Sequence, residues 1–124
     1  MNEILAVIND QMEGLGLNYE FGKMTKSPPE YPYWVGDYTE PEGITEDGKE
    51  EPTIMLTGFA RGKFIELETQ KAIIKEHFKH GVSVITSGGL AVVVFYGGSF
   101  NIPQEDDDLK RCQVNLQIKS WKGN

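Results

Sequence analysis

The two histidines of this chain, His77 and His80, stand three residues apart in the run His77-Phe78-Lys79-His80, close enough on a helix to share a metal ion if a third ligand joined them. No cysteine, aspartate or glutamate inside the run completes that set. Histidines also suit a helix C-terminus, where unpaired carbonyls and the dipole favour donors and positive charge. The carboxylates of Glu105-Asp106-Asp107-Asp108 and of Glu46-Asp47-Gly48 are of the kind that binds hard cations, but neither cluster has the EF-hand spacing. Both read as solvated loop charge, so no metal and no cofactor is expected.

Nucleophilic catalysis needs a hydroxyl or thiol beside a base and an orienting acid, and the chain offers only histidines at one helix end. The single cysteine, Cys112, falls in a strictly alternating apolar pattern and reads as a buried strand thiol. Ser87-Gly88-Gly89 and Gly97-Gly98-Ser99 lack the Lys-Ser/Thr ending of a phosphate loop and read as turns. Tyr31, Tyr33, Trp34 and Tyr38 could stack on bases, yet no basic residue is interleaved with them as single-strand binding requires. No catalytic residues are expected, and the protein is read as a non-enzyme.

Size and charge narrow the field further. A chain of 124 residues holds one hydrophobic core, hence a single domain over 1–124. Nineteen acidic against twelve basic residues give a net charge of −7, which opposes attraction to phosphate backbones. The longest apolar run, Leu90–Tyr96, is far below the roughly 20 residues that span a bilayer. Met1-Asn2-Glu3 lacks the cationic start of a signal peptide, so a cytoplasmic site of synthesis is expected.

The elements that must carry these side chains are legible from periodicity. Ile4, Leu5, Ile8 and Met12 have helical spacing over 2–14, with Asn2 placed to cap, and Gly14 and Gly16 end that short helix. Residues 15–30 read as a connection with room for a short strand near Tyr19–Phe21, closing on Ser27-Pro28-Pro29. Strand patterns at 32–38 and 53–60 frame a long hairpin whose tip, Thr39–Pro52, holds six carboxylates and is expected to be mobile over about 40–51. A long amphipathic helix is expected over 63–79 on Phe64, Leu67, Ile74 and Phe78, while Ile65, Ala72 and Ile73 leave a second, weaker apolar side that could meet a neighbouring subunit. Val82–Thr86 and Leu90–Tyr96 spell a hairpin, the second strand central in the sheet. Gly97–Leu109 then reads as a polar excursion. Arg111–Trp121 alternates cleanly, with Gln113, Asn115 and Gln117 on its wet side. The order α-β-β-α-β-β-β implies an α+β fold, a mainly antiparallel sheet packed against the long helix and the short N-terminal one.

One layout is similar to this one. A short N-terminal helix, an aromatic strand entered through Pro-Pro, a long acidic hairpin tip, a strand ending in Thr57-Gly58-Phe59-Ala60-Arg61-Gly62, an amphipathic helix and closing antiparallel strands resemble the tail terminator and tail completion (head–tail joining) proteins of long-tailed bacteriophages and prophages. That resemblance covers nearly the whole chain. It implies a homo-oligomer, generally a hexameric ring, that caps the tail tube and forms the surface joining it to the head connector. Its partners would be the tail tube protein and the connector protein, with assembly in the host cytoplasm and residence in the virion. The hairpin tip and the wet side of the last strand would then be assembly contacts: Tyr38, Glu40, Glu42, Thr45, Glu46, Asp47, Gln113, Asn115 and Gln117, joined by Ile65 and by Arg61, which could pair with a carboxylate of the next subunit or of its own chain. In such a ring the acidic loops would keep DNA off the channel wall.

A different class fits the same composition. A small acidic prophage protein can act as a monomeric protein-binding module or inhibitor of a host protein. A stable monomer in a one-to-one complex would favour that alternative, and a deep pocket setting His77 or His80 beside a carboxylate would favour an enzyme.

Overall fold

The computed structural model describes residues 1–40, 51–103 and 108–122. The chain is α+β, and the described residues form two helices and six strands: α1 (Asn2–Gly14), β1 (Tyr19–Phe21), β2 (Tyr33–Thr39), β3 (Thr53–Arg61), α2 (Phe64–Phe78), β4 (Val82–Ile85), β5 (Leu90–Ile102) and β6 (Leu109–Lys122). The strands form one sheet in the order β1-β2-β3-β6-β5-β4, antiparallel except where β1 runs parallel to β2. Each half of the chain thus builds half of the sheet, and the halves join along β3 and β6, from Thr53 opposite Gln117 to Arg61 opposite Leu109. The loop expected at about 40–51 lies outside the described residues, apart from Glu40, which follows β2, and the exposed Glu51.

Alternation decides which face is buried. Ile54, Leu56 and Ala60 of β3, Cys112, Val114, Leu116 and Ile118 of β6, and Val92 and Val94 of β5 join Ile4, Val7, Ile8 and Met12 of α1 and Leu67, Ile74 and Phe78 of α2 in a single core. Both helices therefore cover the same face of the sheet, and the face bearing the other strand residues is covered by neither.

Two glycines make room for the largest side chains of that core. A β-carbon on Gly58 would lie 2.7 Å from Cη2 and Cζ3 of Trp34 and 2.8 Å from Cδ1 of Leu67. A β-carbon on Gly36 would run into the Tyr19 hydroxyl. Trp34 is Cα partner both to Tyr19 on β1 and to Gly58 on β3, so the aromatic rings lean in succession across the β1–β2–β3 half of the sheet. The Trp34 indole N–H donates to Gln70 Oε1 at 2.8 Å and ties α2 to the sheet.

Tyr19 differs, because its buried hydroxyl has no hydrogen-bond partner among the described residues. Burying a hydroxyl without a partner costs about 1–3 kcal/mol, so Tyr19→Phe is expected to raise the unfolding free energy by about 1 kcal/mol in a urea titration. Desolvation also pushes the phenol from 10.0 up to about 12. The unfolded chain ionises first, so this stabilising component is complete below pH 10 and is lost as pH rises towards about 12. Tyr19→Phe should remove that part of the alkaline loss.

Several expectations are corrected. The order is α-β-β-β-α-β-β-β, because Tyr19–Phe21 forms a true strand, β1. α2 is 15 residues, only two longer than the 13-residue α1, and buries Leu67, Ile74 and Phe78 while leaving Ile65 and Ile73 exposed. α1 has the cleaner apolar side, and its N-cap is Met1 rather than Asn2. β5 does not stop at Tyr96: after a bulge at Gly97-Gly98 it runs on to Ile102, so Ser99–Ile102 of the expected polar excursion are ladder. β5 is paired on both sides but lies next to the edge strand, and β3 and β6 are central.

Candidate interaction face

The face left bare by the helices is built on β6. Its register sets Gln113 between Thr57 of β3 and Phe100 of β5, and Gln117 between Thr53 and Phe95, with Asn115 opposite Met55. Gln113 Nε2 donates to Asn115 Oδ1 at 2.9 Å, and Thr53 Oγ1 donates to Gln117 Oε1 at 3.4 Å. Three amides offer more donors and acceptors than these bonds occupy. The bulge in β5 puts Phe100 on this face, where it is exposed.

One end of the face is aromatic. Tyr33 of β2 stacks on Phe59 of β3 with centroids 4.8 Å apart, and Tyr31 leans on Tyr33 at 5.2 Å. The Arg61 guanidinium lies 5.2 Å from the centre of the Tyr31 ring, and Lys119 sits 5.9 Å from that of Phe95. Desolvation first, then the neighbouring Tyr31, raise the Tyr33 phenol, against the opposing pull of Arg61. Aromatics, amides and cations on one broad sheet surface can bind another protein through stacking and hydrogen bonds. They hold no nucleophile with an adjacent base.

No protein-family model matches the chain, and no curated protein matches it in sequence.

Of the residues expected at an assembly interface, those described do not all share one face. Gln113, Asn115 and Gln117 share the bare face. Tyr38 belongs to the helix side at the edge of the sheet, stacked on Phe21 at 5.9 Å. Ile65 is exposed in the first turn of α2, away from the amides. Arg61 pairs at 2.8 Å with Asp108 of its own chain, both half exposed, while Gly62 N–H donates to the Asp108 carbonyl at 2.7 Å. The hydrogen bond from Arg61 to the Asp108 carboxylate, foremost, holds the guanidinium more firmly charged. Glu42, Thr45, Glu46 and Asp47 lie outside the described residues, as do Glu105, Asp106 and Asp107.

The glycines and arginine of Thr57-Gly58-Phe59-Ala60-Arg61-Gly62 thus each have a local structural reason. Gly58 admits Trp34 and Leu67, Arg61 pins the start of β6, and Gly62, at φ +83, turns the chain into α2.

His77 and His80 part company. His77 Nε2 meets Gln11 Oε1 at 2.7 Å and bridges the two helices, whereas His80 lies exposed beyond the end of α2. Among the described residues no three metal-ligating side chains cluster. A groove of about 760 Å³, wide open to solvent, runs between α1 and α2 over Leu15, Thr69, Ala72, Ile73, Glu76 and His77. It does place a carboxylate beside His77, but Glu76 is bound to Lys79 at 2.9 Å and His77 to Gln11.

Burial pushes the Cys112 thiol from 9.0 up to about 11, so little thiolate exists at neutral pH. Reaction of native protein with a disulfide reagent is expected to proceed only as fast as the chain opens, and to become immediate in denaturant. An immediate native reaction would contradict the buried placement.

The alternation of β6 marks Lys119 as outward beside Gln113, Asn115 and Gln117. Phe95 and Phe100 were not legible as parts of this face, because their places opposite Gln117 and Gln113 follow only from a register that the Gly97-Gly98 bulge shifts.

Proposed function

We propose that this protein is a structural assembly subunit, a tail terminator or head–tail joining protein of a long-tailed phage, that works as a ring of identical copies on the tail tube. The observation that carries the reading is the bare sheet face, whose amide row and stacked aromatics are suited to a protein partner. The layout running from the N-terminal helix to the closing strands supports the phage assignment. The tail tube protein and the head connector are the partners this reading supplies.

Native mass spectrometry over a concentration series tests it. A closed ring gives one dominant high mass, expected at six copies, whereas non-specific association gives a ladder. Asn115→Lys, which sets a charge in the middle of the amide row, should dissolve the ring without unfolding the chain. A wild-type chain that remains monomeric even with purified tail tubes would sink the reading.

A further inference from the structure

Among the described residues the edge strand β4 has a neighbour on one side only, β5. Its ladder decides which of its backbone groups face outwards. Thr86 N–H donates to the Leu90 carbonyl at 2.9 Å and closes the hairpin, so Thr86 and Leu90 form a hydrogen-bonded pair. Such pairs alternate along an antiparallel ladder, so Val84 with Val92 and Val82 with Val94 are bonded pairs too. Ser83 and Ile85 therefore turn their N–H and C=O groups away from β5.

Natural sheet edges are guarded by lysine, proline, bulges or cover, because bare edge groups invite another strand. The opposite edge obeys this rule: β1 is three residues long, carries Glu20 at its centre and leads towards Ser27-Pro28-Pro29. β4 does not. Val82-Ser83-Val84-Ile85 has no charge, no proline and an unbroken register, and Ile85 is 78% exposed, the most exposed large apolar side chain among the described residues.

We propose that β4 is a pairing edge whose partner is β4 of a second copy, antiparallel about a two-fold axis. Two conditions choose the register. Residues set opposite one another must share a face of the sheet, and outward-turned residues must meet outward-turned residues. Setting Val84 opposite its own copy satisfies both, because Ser83 then faces Ile85 of the second copy, and the reverse. Every outward group of the two residues is used: two donors and two acceptors per copy make four hydrogen bonds per pair. The small Ser83 leaves space on the bare face for the Ile85 side chain beside it. Two sheets become one continuous sheet.

This contact is isologous, so it stands apart from the head-to-tail contact that a ring requires. The experiment is sedimentation velocity of the full chain over a concentration series, beside hydrogen exchange resolved at the Ser83 and Ile85 amides. Pairing predicts association in even numbers, with both amides protected at high concentration and released on dilution. Ser83→Pro removes an outward donor, leaves the β5 ladder whole, and should weaken association about 30-fold. Ile85→Lys sets like charges near the axis and should weaken it at least as much. A wild-type chain monomeric at every concentration overturns the pairing, as does association that survives both substitutions with the two amides exchanging freely. If that surviving species holds six copies, the ring stands without the edge; a dimer lost on substitution supports the edge, and the ring is then decided by the chain's behaviour on tail tubes.

Discussion

Gly58→Ala is expected to destabilise the protein by about 2 kcal/mol, seen as a fall in Tm of roughly 8 °C. The added methyl would sit 2.7 Å from two carbons of the Trp34 ring and 2.8 Å from Leu67 Cδ1, distances that side-chain carbons do not tolerate. Neither neighbour can retreat cheaply. Trp34 is wholly buried and held by its bond to Gln70, and Leu67, on the buried side of α2, is 1% exposed. The control is Gly14→Ala at the end of α1, where a β-carbon meets nothing within 4 Å. That change should be neutral or stabilising by up to about 0.5 kcal/mol, since alanine restricts the unfolded chain and favours helix. Equal effects at the two positions would show that backbone entropy, not the Trp34 contact, governs Gly58.

Gln70→Leu has the next largest expected effect. It removes the acceptor of the Trp34 indole N–H, on a residue that is 0% exposed. A buried donor left without an acceptor costs about 1–3 kcal/mol, so a loss of about 2 kcal/mol is expected in a denaturant titration with unchanged slope. The same substitution in a Trp34→Phe background should cost much less, because phenylalanine has no donor to strand. A double-mutant cycle should therefore return a coupling of at least about 1 kcal/mol. No coupling would mean that Gln70 acts through helix packing alone.

The hairpin of β2 and β3 and the strand β6 were legible because their alternation is long and regular, and Gly62 and Gly81 marked the ends of α2 correctly. The amide row of Gln113, Asn115 and Gln117 followed from the same alternation. What was not legible depends on contacts distant in sequence. A glycine pair such as Gly97-Gly98 serves a turn and a bulge equally well, and only the β6 partner decides between them. The pairing of Arg61 with Asp108 joins residues 47 positions apart, so Arg61 alone could not reveal whether its carboxylate was internal. The apolar character of Ile65 and Ile73 blurred the buried side of α2, since hydrophobicity without geometry does not say which residues face the core. The β4 edge had a local signal, four uncharged strand residues ending in isoleucine, but strand order was needed to show that it is an edge.

The seam between β3 and β6 bears on how the chain is made. During synthesis β3 is complete once Arg61 has emerged, yet its partner begins only at Leu109. Over that interval Ile54, Leu56 and Ala60 belong to a half-sheet whose open flank waits for nearly half of the polypeptide still inside or near the ribosome. Slow translation between these positions should prolong a sticky nascent state, whereas fast translation should favour productive collapse, so synonymous codon choice over 62–108 is a lever on yield that leaves the native molecule unchanged.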